Sequence, residues 1–377
     1  VRSNAALARL AIIAIAVSVS VQVGEAGAAT AGQSALLPPL GLLEANPSLT
    51  EEVASPPPAS ASEVAPYSRN PSETRPYALC PPPTERRASC MAAVVPTEGG
   101  DPVVGPALEG SGVQGGFSPA DLRSAYRLPS AGGKGLTIAV TIAYDNPNAE
   151  ADLATYRSTY GLPPCTTANG CFAKVNQAGE EDNYPAANAE WGLETSLDLD
   201  MISATCPECE ILLVEADSPF LDDMGAAVET AAAMGADVIS NSWAAEEFEG
   251  ESDFNFYFSH PGIPTLFATG DWGFGVYYPA ASPTAIAVGG TSLRKAGGAR
   301  GWTETAWSGA GSGCSSYEAK PSWQRDEGCA ARTVADVSAV SDTATPVSVY
   351  DSFGQPGWLL LGGTSVATPL LAGIEAL

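Results

Sequence analysis

Ser365 stands in Gly362-Gly363-Thr364-Ser365-Val366-Ala367-Thr368-Pro369, after the apolar run Trp358-Leu359-Leu360-Leu361 and before an Ala/Leu stretch of helical character. That setting predicts a strand turning into a helix, with the serine hydroxyl at the turn where a nucleophile belongs. A serine hydroxyl is a weak nucleophile unless a base takes its proton. The usual base is histidine, and the chain has a single one, His260, in Ser259-His260-Pro261-Gly262. If His260 is not the partner of Ser365, the base must be a carboxylate.

One acidic pair could meet that need, and a further aspartate could assist. Glu194-Thr195-Ser196-Leu197-Asp198 lies in a helical pattern over residues 189–204. Positions i and i+4 share a helix face with Cβ atoms about 5–6 Å apart, so Glu194 and Asp198 can point into one site, with Glu190 one turn earlier. Like charges this close favour a shared proton and a raised pKa, and such a pair can serve as a base. A solvated acidic helix face is the commoner fate of this spacing. Asp271, in Thr269-Gly270-Asp271-Trp272-Gly273, reads either as a turn aspartate or as a protonated acid that donates to a developing oxyanion.

The elements that must position these residues alternate strand and helix. Strands are expected at 136–140, 211–215, 238–240, 265–268 and 285–288, with helices near 189–204 and 221–234. A capped helix start is expected at Phe117-Ser118-Pro119-Ala120-Asp121-Leu122. Continuous apolar strands between helices imply an α/β fold with a mostly parallel central sheet and helices on both faces. In such sheets sites form beyond the carboxyl ends of the strands, where Asp271 and Ser365 are expected.

The formal net charge is -26, and no Lys or Arg occurs between Lys174 and Arg294. Such a surface repels nucleic acid and anionic membranes and suits work in acid. Residues 1–28 read as a signal peptide, with Arg2 and Arg9 before Leu10–Val17 and Ala26-Gly27-Ala28 as a cleavage site. No segment approaches the roughly 20 apolar residues of a membrane span. Residues 29–116, rich in Pro, Ser and Ala, read as a mostly disordered linker or short pro-segment. The eight cysteines fit an exported, oxidising setting. Their spacing suggests the local pairs Cys80 with Cys90, Cys165 with Cys171, Cys206 with Cys209, and Cys314 with Cys329. Half a zinc site or a redox motif at Cys206-Pro207-Glu208-Cys209 is the alternative, and no second closely spaced pair or histidine cluster completes a zinc site.

Together the motifs resemble the sedolisins, the serine-carboxyl peptidases that include kumamolisins and tripeptidyl peptidases. The resemblance runs from Phe117 to Leu377, through Phe117–Leu122, Glu194–Asp198, Ser240-Asn241-Ser242-Trp243, Gly270-Asp271-Trp272-Gly273 and Tyr278-Pro279-Ala280-Ala281-Ser282-Pro283. It continues through Pro321-Ser322-Trp323-Gln324, Val334-Ala335-Asp336-Val337 and Gly363-Thr364-Ser365. It implies a subtilisin-like α/β fold over 117–377, with Ser365 as nucleophile, Glu194 as general base, Asp198 as its partner and Asp271 as the oxyanion-hole acid. His260, with no Gly-Thr after it, is then a loop residue. The Cys165–Cys171 and Cys206–Cys209 pairs look like those of exported bacterial members.

Three departures stand out. Trp272 replaces the serine of the family's Gly-Asp-Ser-Gly, the pro-segment is short, and the family's calcium ligands are expected beyond Leu377. The reading is a secreted, monomeric endopeptidase acting on polypeptide substrates in acid. A tripeptidyl exopeptidase and an inactive binding protein or gene fragment on the same fold are the alternatives.

Overall fold

The structure, a computed structural model, describes residues 75–98, 101–102, 108–129 and 131–377. The signal peptide expected over 1–28 lies outside the described residues, as does the start of the linker.

Residues read as linker contribute strands β1 (Tyr77–Ala78), β2 (Ser89–Cys90), β3 (Ala93–Val95), β4 (Thr97–Glu98) and β5 (Asp101–Pro102). The chain continues as α1 (Pro119–Tyr126), β6 (Thr137–Ala143), α2 (Ala149–Thr159), β7 (Phe172–Asn176), α3 (Ala189–Thr205) and β8 (Glu210–Ala216). Then follow α4 (Leu221–Ala233), β9 (Val238–Asn241), β10 (Trp243–Glu246), β11 (Thr265–Ala268), β12 (Tyr277–Tyr278), β13 (Ile286–Lys295) and β14 (Trp302–Ala306). The chain ends with β15 (Gly313–Ala319), β16 (Ala331–Val334), β17 (Val337–Val340), β18 (Val347–Asp351), β19 (Gly357–Gly362) and α5 (Thr364–Glu375).

The central sheet has eight strands in the order β14-β13-β11-β9-β6-β8-β7, with β17 also paired to β13. All its pairings are parallel except that of β14 with β13. Every residue of β9 and β11 is buried, which a sheet covered on both faces requires. Helices α3 and α5 pack on each other and on the sheet, while α4 packs against β6, β8 and β9. The expected helix start is present: the Ser118 hydroxyl accepts from Asp121 N–H, and the Asp121 carboxylate accepts from Ser118 N–H.

Two sequence expectations change. The linker is not structureless over 77–95: its two- and three-residue strands pair with distant partners, so no internal period reveals them. Strand β19, which leads to Ser365, also lies outside the parallel sheet. It belongs to a separate antiparallel sheet of order β1-β3-β19-β18. Ser365 therefore reaches the carboxyl edge of the main sheet through its helix rather than from a parallel strand.

The contact between α3 and α5 sets the spacing of the candidate site, because Glu194 and Ser365 lie on these two helices. Gly373 of α5 sits against Thr205 of α3, and a Cβ there would come closer than 3.0 Å to the Thr205 side chain. Gly373→Ala should therefore push the helices apart and destabilise the fold by about 1–3 kcal/mol, read as a lowered midpoint in chemical denaturation. An unchanged midpoint would mean that α5 does not depend on this close approach.

Candidate active site

Helix α3 is capped by Asn188, whose side chain accepts from the N–H groups of Glu190 and Trp191, and it is buried from Trp191 to Thr205. The acidic pair is therefore no solvated face. Glu194 and Asp198 are both fully buried. Ser242 Oγ donates to Asp198 Oδ1 at 2.6 Å. Asp198 Oδ2 and both Glu194 carboxyl oxygens have no hydrogen-bond partner. Burial first, then the Asp198 charge, hold the Glu194 carboxyl well above its ordinary range, while Ser365 opposes the shift and Asp271 adds to it. Burial likewise raises Asp198 well above its ordinary range, against the Ser242 hydroxyl. Such a pair keeps a proton between its two members.

Asp271 follows β11 and is buried. Its Oδ1 accepts from Thr364 N–H at 2.7 Å and from Thr364 Oγ1–H at 2.8 Å, so the carboxyl is aimed at the start of α5. Its Oδ2 is buried without a partner. Burial pushes this carboxyl up to about 7 against the two Thr364 bonds. Trp272 does not turn it away: the indole tilts against Tyr277 with ring centroids 5.3 Å apart. Gly363 has φ of 101°, and a Cβ on it would come closer than 3.0 Å to both Asp271 Oδ2 and Met91 O. Only glycine leaves that space open.

The first amides of a helix have no partner within it, and here they face the site. Ser365 N–H donates to Met91 O at 2.9 Å, and Met91 N–H donates to Ser242 O at 3.1 Å. Ser365 Oγ donates to Ser242 O at 3.3 Å. Strand β2 pairs antiparallel with β10, Cys90 opposite Trp243 and Ser89 opposite Ala244. The Met91 side chain is 1% exposed and packs with Ala244 and Ala268 against Trp272 and Tyr277. A stretch of the chain itself thus runs through the cleft as an extended strand, with a main-chain carbonyl held at the helix start.

Glu194, Asp198, Asp271 and Ser365 converge, and His260 does not join them. His260 precedes β11 at the end of the sheet opposite Asp271, and its Nε2 lies 2.9 Å from Tyr257 O. Glu190 lies in the first turn of α3 and is only partly buried. Ser242, Thr364 and Met91 received no role from the sequence. Ser242 and Thr364 stand inside quoted motifs, and the Cys80–Cys90 spacing was the only signal near Met91. All four suggested cysteine pairs are disulfides, which removes Cys206 and Cys209 as zinc ligands. Among the described residues no three His, Cys, Asp or Glu side chains group to hold a metal ion, and calcium enters no step below.

The raised carboxyls make stability depend on pH. Asp271 titrates at about 7 when folded against an ordinary 3.8. Below about pH 4 both folded and unfolded chains hold this proton; as pH rises toward 7 the folded state alone retains it, so stability falls. Asp351, raised to about 7, and Glu215 and Glu251, each raised to about 8, act in the same direction. The denaturation midpoint should drop between about pH 4 and pH 8, with a shallower drop in Asp271→Asn. A midpoint that rises over this range would contradict the burial argument.

A model of the subtilase family matches residues 176–377. Kumamolisin of Bacillus sp. (strain MN-32) is 28% identical over 296 residues, covering 69% of this chain and 51% of that protein. Sedolisin of Pseudomonas sp. (strain 101) is 35% identical over 115 residues, covering 27% of this chain and 19% of that protein. At most, then, the chain spans about half the length of these curated relatives. The solved structure of Pseudomonas sedolisin, a serine-carboxyl proteinase complexed with two molecules of pseudo-iodotyrostatin, matches with a TM-score of 0.56 at 23% identity. It covers 69% of this chain and 79% of its own, a likeness of fold. With more than half of its length matched by that family model, and the same α/β architecture around a buried serine, the chain belongs to the subtilase family.

Proposed function

We propose that this protein is a serine-carboxyl endopeptidase that hydrolyses polypeptides in acid. The observation that carries the reading is the main-chain carbonyl of Met91 on Ser365 N–H, between a serine and three buried carboxyls. The pair holds a single proton, which lies on Asp198 and leaves Glu194 ionised, so Ser365 Oγ attacks the scissile carbonyl while its own proton passes to Glu194. The new oxyanion takes the place of Met91 O, where Ser365 N–H and a proton on Asp271 Oδ2 donate to it. The positive end of α5 adds to this stabilisation. Glu194 then gives its proton to the leaving amine, and water releases the acyl group by the same route in reverse. Asp198, held by Ser242, keeps Glu194 oriented and shares its proton.

Acid is the working condition because Asp271 must keep its proton, and it does so below about pH 7. The path of the cleft strand favours an endopeptidase. The strand continues from Met91 back to Arg87, which bridges to Phe220, so the cleft accommodates more than three residues before the bond. Kumamolisin and sedolisin resemblance supports the peptidase class, and four disulfides support export to an oxidising compartment.

Ser365→Ala should abolish peptide hydrolysis, and His260→Ala should leave it nearly intact. A folded His260→Ala variant without activity would restore a histidine base and overturn this mechanism. Asp271→Ala should lower kcat on the order of 100- to 1000-fold with little change in KM. Asp271→Asn should keep more activity than Ala and extend it toward neutral pH, because an amide donates without an extra proton. Wild-type kcat in Asp271→Ala would reduce Asp271 to a turn residue.

A further inference from the structure

The segment in the cleft is held in a way that a passing substrate is not. On the side before Met91, Ala88 N–H donates to Pro219 O at 2.7 Å, and Ser89 and Cys90 pair with β10. On the side after it, Ala93 and Val94 of β3 pair with Gly362 and Leu361 of β19. A second stretch of the same segment braces both sides. Tyr77 and Ala78 pair with Val94 and Ala93, and Leu79 N–H donates to Ala92 O at 2.8 Å. The next residue, Cys80, is joined by a disulfide to Cys90. Residues 77–80 are thus bonded covalently to the residue before Met91 and by hydrogen bonds to the residues after it.

We propose that residues 77–95 are a built-in inhibitor: a disulfide-closed loop that presents Met91–Ala92 to Ser365 as a reactive bond and retains both ends when that bond is cut. The covalent step rests on the peptidase reading above; the binding of the loop does not. In the cut, Ser365 Oγ bonds to the Met91 carbonyl carbon, the bond to Ala92 N breaks, and the Ala92 amine takes the proton that Ser365 passed to Glu194. The amine stays beside the ester, because Ala92–Val94 remain zipped to residues 77–79 and Cys80 still holds Cys90. Attack by a retained amine is intramolecular and outpaces water. The peptide bond re-forms, Ser365 recovers its proton, and the cleft stays closed. Loss of the Cys80–Cys90 bridge frees the acyl side from the brace, so that the cut runs to completion. Breaking that bridge requires two equivalents of an external thiol, which leave joined as a disulfide as the two cysteines become thiols.

Amide hydrogen exchange in the full chain carrying Ser365→Ala reads loop binding without catalysis. The amides of Met91 and Ser365 should be protected, and Cys80→Ser with Cys90→Ser should speed their exchange at least about tenfold, with β6 and β8 unchanged as the folding control. Met91→Asp, which keeps the disulfide but places a charge in the apolar pocket, should have the same effect. Equal exchange in all three chains would overturn the proposal. With Ser365 intact at about pH 4, mass spectrometry should find the wild-type chain largely whole and the double cysteine variant cut at Met91–Ala92. A wild-type chain cut there as fast as the variant would also overturn it. If exchange responds as expected and no chain is cut, the loop stands and the peptidase reading falls.

Discussion

The chemistry near Ser365 depends on one constraint: Glu194, Asp198 and Asp271 are held out of water with no lysine or arginine beside them among the described residues. A buried carboxylate without a countercharge is costly, and the group responds by keeping its proton. The sequence offers no Lys or Arg between Lys174 and Arg294, so the three acids have no permanent cation of their own stretch to turn to. Hydroxyl and amide donors substitute in part, Ser242 for Asp198 and Thr364 for Asp271. These donors oppose the shift without cancelling it. A site built this way holds, in acid, the proton of Asp271 and the one proton shared by Glu194 and Asp198, and loses them toward neutrality.

The constraint also shapes the frame. Acids can be buried this deeply only if α3 is covered on all sides, which α5 does from one direction and the sheet from another. The close approach at Gly373 holds α5 against α3, the two helices that carry Ser365 and Glu194. Elsewhere Glu215 faces Lys174 at 3.3 Å, yet burial still raises it to about 8. Burial dominates over local pairing in each of these acids, so the acidic interior extends beyond the cleft.

The cleft segment completes the exclusion of water. Met91 occupies the apolar pocket made by Ala244, Ala268, Trp272 and Tyr277. Trp272 forms a wall of that pocket and leaves Asp271 aimed at Thr364. The departure noted in the sequence at Trp272 is thus, in three dimensions, a contact with whatever occupies the pocket.

Much was legible in the sequence because the relevant forces are local or periodic. The Gly-Thr-Ser turn, the i,i+4 acids, the apolar strands and the short cysteine spacings each carry their geometry in a few residues. Strand β11 spans Thr265–Ala268 and α3 spans Ala189–Thr205, close to the expected 265–268 and 189–204. Burial, however, belongs to no single segment. Whether Glu194 and Asp198 line a wet helix face or a dry junction was decided by α5 packing on α3. The strands of residues 77–95 were invisible because two or three residues show no period and their partners are more than 150 positions away for β2 and 250 for β3. The sequence by itself determined which groups could carry the chemistry; the tertiary structure decided their protonation, because desolvation depends on everything packed around a carboxyl rather than on its neighbours in the chain.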